Sequence, residues 1–339
     1  MAATAGISEE RRQALLAAKL GVLVREHVGI TGVEPRGFRG GAALHAGERA
    51  WFLADDDRGA ALGPALTFAA ANGVTELHVL AETGAGRLAR RAALFDPAPR
   101  VWVLDGHELT PAEPAPLRRP PPVAAGLEDL ADLIAGAGAE VVVEHGVVVG
   151  EVMGLEVARI VDGDDGPQLE VGVGRHDREA FEIIHGGVPT PEALLGVVRL
   201  VAEHRRPGAP PHPLNRLGSE RWLRALVVSE PGTVGASFLA PVPTPEPRDN
   251  VKDPAPCLAA GERSGGEPVL AAFSVGIDLD LVPAAADARA ADPRRPHLMV
   301  VVPERDAHPL TVKVLERLAQ PAELVAVPGD WRALASPVR

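Results

Sequence analysis

The sequence has no tyrosine and one cysteine, and its aromatic residues make up only 3% of the chain. A single thiol, Cys257, excludes an internal disulfide and any zinc site built from several cysteines, and it suits a reducing compartment. The residue itself reads as a small loop side chain. No apolar run is long enough to cross a bilayer. The N-terminus, M-A-A-T-A-G-I-S-E-E-R-R-Q, lacks the basic-then-apolar order of a secretory signal, so a cytoplasmic location without membrane contact is expected. Positive charge is also short, with 34 Lys plus Arg against 46 Asp plus Glu and a formal net charge of −12. That balance argues against a surface that binds nucleic acid all over, and leaves only a local basic patch for that role. P-loop, H-E-x-x-H and G-x-S-x-G signatures are all missing.

What is present is an ordinary globular balance of 46% apolar and 24% charged residues over 339 positions, enough for two or three domains. Abundant Ala, Arg, Gly and Pro point to the codon bias of a high-GC genome, which makes the 33 prolines a poor guide to disorder. Two proline-rich stretches, T-P-A-E-P-A-P-L-R-R-P-P-P and A-P-V-P-T-P-E-P-R-D-N-V-K-D-P-A-P, read as extended linkers or straps. They divide the chain into an N-terminal α/β unit (residues 1–109), a linker (110–123), a middle α/β unit (124–239), a second linker (240–256) and a C-terminal α/β unit (257–339).

The N-terminal unit opens with a helix capped by Ser8, followed by a hairpin and a β-α-β-α-β order whose strands are continuous apolar runs, as in a mainly parallel sheet. The C-terminal unit repeats that order. Trp51, Leu77 and Val101 correspond to Leu270, Leu298 and Leu324, which lie 219, 221 and 223 positions further on. The expected fold class is α/β, with two such units flanking a mixed middle unit that carries an antiparallel hairpin. Helices are expected over 127–135, from Asp177 to Gly186, from Thr190 to His204 and from Ser219 to about Ser229.

The most distinctive stretch is Gly150 to Glu182 in that middle unit. With D-G-D-D-G (Asp162 to Gly166) as the turn, Ala158 falls opposite Glu170 and Glu156 opposite Gly172, so Glu156 and Glu170 share a face diagonally. Two carboxylates so placed suit Mg²⁺ or Mn²⁺, which take one or two protein carboxylates and keep their waters. The plain alternative is that both acids lie on the solvated face of an amphipathic hairpin, with Leu155, Val157, Leu169, Val171 and Val173 toward the core.

On these residues the chain resembles the restriction-endonuclease-like family, whose core hairpin carries an acid on one strand, a Glu-x-Lys triplet on the next and a helix afterwards. The resemblance implies that Glu156 and Glu170 take the places of the family's two acids and that the helix after Asp177 is the flanking helix. Gly172 stands where the family has its lysine. The expectation is therefore a binding or scaffolding protein with degenerate nuclease-like units and no cofactor. A metal-dependent nuclease or phosphodiester hydrolase using Glu156 and Glu170, with Arg175 or Arg205 replacing the lysine, is the alternative. Taken whole, through stretches such as G-L-E-V-A-R-I-V and R-R-P-G-A-P-P-H-P-L-N-R-L, the chain is also similar to a group of uncharacterised proteins from high-GC bacteria. That similarity implies no particular activity.

The segment from His204 to Arg224 concentrates positive charge. Arg205, Arg206, Arg216, Arg221 and Arg224, with Trp222 among them, are candidates for binding an anion or a partner. A pairing with the chain's own acids, a protein partner or self-association is favoured over nucleic acid. A further candidate joins Asp280, Asp306 and His308 near the strand ends of the C-terminal unit, competing with simple helix capping. Asp55, Asp56, Asp57, Glu82 and Asp278 fall at equivalent strand ends. The glycines of A-E-T-G-A-G-R-L, with Asp105 downstream, offer a weak dinucleotide-like pattern, whereas Arg87, Arg90 and Arg91 read as a solvated helix face.

Overall fold

The computed structural model describes residues 8–38, 40–55, 61–117, 121–164, 166–174, 191–245 and 256–334. The expected helix from Asp177 to Gly186, along with Arg175, Asp56 and Asp57, lies outside the described residues. The protein is a mixed α/β fold with three sheets among the described residues, and no described helix is long and apolar enough to cross a membrane. The chain divides into two compact units. One contains Met1–Leu117, Leu279–Ala290 and His308–Glu323, and the other contains Arg118–Asp278, Ala291–Ala307 and Leu324–Arg339. The C-terminal segment is thus shared between them.

The first unit is built on a six-stranded sheet in sequence order. Its strands are β1 (Arg36–Phe38), β2 (Gly41–Ala46), β3 (Arg49–Ala54), β4 (Glu76–Ala81), β5 (Arg100–Asp105) and β6 (Glu108–Pro111). Strands β3, β4 and β5 run parallel, joined by α2 (Leu62–Ala71) and α3 (Ala85–Ala92), while β1, β2 and β6 pair antiparallel at the edges. Helix α1 (Glu9–Val28) starts where Ser8 caps the Arg11 amide and stops at Gly29 in the left-handed region. Its Leu20, Leu23 and Val24 pack on Leu44, Trp51, Leu53, Leu80 and Leu104, which form one face of the sheet. Strand alternation sends the buried Ala50, Phe52 and Val79 to the opposite face, which is why these strands read as unbroken apolar runs.

Helices α7 (Leu281–Ala291) and α8 (Pro309–Leu315) belong to the two C-terminal segments, Leu279–Ala290 and His308–Glu323, that join this unit. After α3, the amides of Ala93, Leu94 and Phe95 donate to Ala89, Arg91 and Ala92. After α8, those of Glu316, Arg317 and Leu318 donate to Val312, Val314 and Leu315, each partner 223 positions on. The two turns then pair antiparallel at Phe95 and Leu318. The Asp96 amide donates to Arg317 and the Ala319 amide to Leu94, at 2.8 and 2.9 Å. Exchanging each residue for its counterpart turns one of these bonds into the other.

The second unit carries an antiparallel meander, β7 (Glu140–Glu144), β8 (Val147–Val152), β9 (Leu155–Gly163) and β10 (Gly166–Val171). The meander has four strands because a tight turn at Met153 and Gly154 separates β8 from β9 within the stretch from Gly150 to the D-G-D-D-G turn. Both have positive φ, 47° and 72°, as do His145 and Gly146 in the preceding turn, matching the type I′ geometry that suits strand twist. Helices α4 (Glu128–Gly136) and α5 (Pro191–His204) cover one face through Ile134, Leu194, Val198 and Val201. A five-stranded sheet follows, of β11 (Ala236–Val242), β12 (Cys257–Arg263), β13 (Pro268–Phe273), β14 (His297–Pro303) and β15 (Ala322–Val327). Helix α6 (Ser219–Ser229) packs Trp222, Leu223, Leu226 and Val227 against its core, with Phe273, Met299 and Trp331.

Both proline-rich stretches begin inside strands. Pro111 ends β6 and Pro241 lies in β11, and both are edge strands, where a missing N–H leaves no ladder bond unmade. Cys257 also departs from its loop reading. It opens β12, buried, with its thiol donating to the Glu220 carbonyl at 3.2 Å, and burial pushes its pKa up to about 12.

Candidate functional site

The acidic hairpin forms with a register one residue from that expected. Glu170 lies opposite Arg159, and Val171 opposite Ala158. One strand over, Gly150 pairs with Ala158 and Glu151 with Glu156, so β9 carries an extra residue there. A bulge of this kind turns two successive side chains to one side. Val157 and Ala158 both enter the core, which leaves Glu156, Arg159 and Glu170 on the other face. The register differs because the turn pairs Gly163 with Gly166, half a residue past the middle of D-G-D-D-G, and each half-residue shift of the centre moves the pairing by one.

On that face Arg159 holds Glu156 in a two-point pair, Nε to Oε1 at 2.7 Å and Nη2 to Oε2 at 2.9 Å. The hydrogen bond and charge of Glu156, with the charges of Glu170 and Glu144, raise the Arg159 pKa against the cost of burial. Cross-strand partners Glu140, Glu151 and Glu156 thus form an acidic row over β7, β8 and β9. Among the described residues, no group of three or more His, Cys, Asp or Glu side chains is arranged to hold a metal ion.

The basic segment answers that row. Glu151, 1% exposed, accepts Arg221 Nη1 on one oxygen and Arg224 Nη2 on the other, both at 2.7 Å, while Arg221 Nη2 reaches Glu144 at 2.7 Å. Burial opposes the charge of Arg221, but Glu151 and Glu144 override it and raise its pKa. Arg205 is buried over Trp222, 5.1 Å from the ring centroid. It donates to the carbonyls of Met153, Leu214 and Leu217, and burial lowers its pKa to about 10. Only Arg206 and Arg216 of the five candidates are exposed.

Asp280, Asp306 and His308 each have separate work. Asp280 takes Arg91 at 2.6 Å, with burial raising its pKa and Arg91 pulling it back. Asp306 accepts the Gly276 amide at 2.8 Å, and His308 Nδ1 accepts the Leu310 amide as the cap of α8. The solvated-face reading of α3 is wrong for Arg90 and Arg91. Both bond the fully buried Asp287 of α7, an acid nearly 200 positions away whose approach no local pattern shows. Asp55 pairs with Arg12 and Glu82 with Lys19. Gly84 caps α3 in the left-handed region, and Asp105 is exposed at the end of β5.

A second site, absent from these expectations, lies at the amino ends of the parallel strands of the first unit. A cavity of about 370 Å³ is lined by Arg49, Trp51, Glu76, His78, Arg100 and Trp102, with the C-terminal end of α1 beside it. The rings of Trp51, His78 and Trp102 stack across β3, β4 and β5, with centroids 5.3 and 6.0 Å apart and planes 13° and 17° from parallel. Trp102 Nε1 donates to His78 Nδ1 at 3.1 Å. An indole N–H only donates, so Nδ1 carries no proton and the neutral ring bears its hydrogen on Nε2, which faces Glu76 Oε1 at 3.2 Å. Burial lowers the His78 pKa, with the Glu76 hydrogen bond and charge opposing. A signal for this site exists in the sequence. Its strands open R-A-W, E-L-H and R-V-W, a charge two residues before a ring each time.

No family model, curated protein or solved structure matches the chain.

Proposed function

We propose that this protein is a non-catalytic binding or scaffolding protein whose nuclease-like hairpin is held by the chain's own cations. The observation that carries the reading is the Arg159–Glu156 pair, with Arg159 level with Glu170 in the ladder. A permanent guanidinium charge stands beside the two carboxylates that a divalent ion would need, and Gly172 supplies no ammonium group next to them. The matched bonds at Phe95 and Leu318 support a scaffold built from two related α/β units. Contact with nucleic acid is left to exposed arginines such as Arg206 and Arg216.

Full-length protein incubated with single- and double-stranded DNA and RNA in Mg²⁺ or Mn²⁺ tests the reading. The expected result is no cleavage above a blank. Metal-dependent cleavage that disappears in Glu170→Ala overturns it in favour of a nuclease or phosphodiester hydrolase using Glu156 and Glu170.

A further inference from the structure

We propose that the cavity over Trp51, His78 and Trp102 binds a small planar aromatic carboxylate. This goes beyond the scaffolding role and stands on the first unit alone, independent of the acidic hairpin. Its volume, about 370 Å³, falls in the range of small-molecule sites, which combine apolar walls with a few convergent polar groups. Leu80, Leu109 and Val28 supply apolar wall. Trp51, His78 and Trp102 line up across the three strands with near-parallel planes and form the floor. A flat aromatic ligand laid on them makes the offset-stacked or edge-to-face contact that ring quadrupoles favour.

Charge selects the ligand's polar end. Arg100 and Glu76 neutralise each other at 2.9 Å, and His78 is held neutral by the Trp102 indole. Arg49 is left. It is exposed, its guanidinium carbon lies 5.5 Å from the Trp51 ring centroid, and among the described residues it has no carboxylate partner. Its planar fork matches a carboxylate with two parallel hydrogen bonds, and the ring beneath holds it in place. Among the described charged residues Arg49, Glu76 and Arg100 of the rim, the one without an opposite partner is therefore positive and sits at one end of an aromatic floor. A cation would meet Arg49 unpaired, and a neutral ring would leave it so.

Isothermal titration of the full chain with naphthalene-2-carboxylate, its neutral amide and cyclohexanecarboxylate tests this. The aromatic carboxylate is expected to bind saturably at one site, the amide at least about tenfold more weakly, the size of one charge-assisted contact, and the saturated ring more weakly through loss of the aromatic contact. Arg49→Gln, on an exposed side chain that leaves the fold intact by circular dichroism, should lose at least about tenfold as well. Trp102→Leu should also weaken binding. Absence of saturable binding at millimolar ligand overturns the proposal, as does equal affinity for acid and amide. Binding unchanged in both Arg49→Gln and Trp102→Leu places the ligand elsewhere and overturns it too.

Discussion

Replacing Glu151 by glutamine should destabilise the second unit more than any other single charge removal in the acidic row. The side chain keeps its size, so the change isolates charge. In the native protein each Glu151 oxygen accepts one guanidinium N–H at 2.7 Å, from Arg221 and from Arg224, and both Glu151 and Arg224 are 1% exposed. The amide would turn an NH₂ toward one of those donors and leave Arg224 charged, buried and without the carboxylate it bonds. Breaking a buried pair from one side costs about 3–5 kcal/mol, a large share of a domain's roughly 5–15 kcal/mol. Arg224→Met should cost less, because Arg221 still neutralises Glu151. Glu156→Gln should cost about 1 kcal/mol or less, because its partner Arg159 is one-third exposed. Urea unfolding followed by tryptophan fluorescence in a Trp51→Phe, Trp102→Phe background, which leaves Trp222 and Trp331 edge to face in the adjoining core, reports the change. With a slope of about 2 kcal/mol/M, the Glu151→Gln midpoint should fall by roughly 1.5–2.5 M. A fall below about 0.5 M, or a larger loss in Glu156→Gln, would refute the reasoning that Glu151 is the charge on which the basic segment closes.

Three further outcomes are expected. Gly154→Ala should cost at least about 2 kcal/mol in the same unfolding assay, since φ is 72° and a Cβ would lie 2.2 Å from the Arg221 carbonyl oxygen. The folded His78 pKa lies below its ordinary 6.5, so the folded state binds that proton less readily than the unfolded chain. Its stabilising contribution is present above pH 6.5 and is lost as pH falls through the folded value. NMR titration should show His78 titrating below 6.5 with the Trp102 indole proton shifting in step, and a value above 6.5 contradicts the assigned tautomer. Cys257, buried with a pKa pushed up to about 12, should react with Ellman's reagent only after denaturation, and rapid reaction of the native protein would show the thiol to be reachable.

The α/β class, most helices and the edge positions of the proline stretches follow from local chemistry. Ser8 caps its helix, continuous apolar runs form the parallel strands, and Pro191 and Pro309 stand at helix starts because each rule acts over a few residues. The hairpin was legible as an acidic ribbon, but not its register: the turn pairs Gly163 with Gly166, which sets Glu170 opposite Arg159, and the bulge at Val157 keeps Glu156 on the same face.

The charge pattern was visible without its meaning. An excess of acids and a cluster of arginines can be counted, yet which acid meets which arginine depends on packing between positions about 70 to 200 apart, as with Glu151 and Arg224 or Arg91 and Asp287. Burial decided that Arg205, Arg221 and Arg224 serve the interior, because a guanidinium removed from water must find its acceptors within the protein. The cavity stood half-written in R-A-W, E-L-H and R-V-W. Only the alignment of three parallel strands stacked those rings, cancelled Arg100 against Glu76 and left Arg49 unmatched above them.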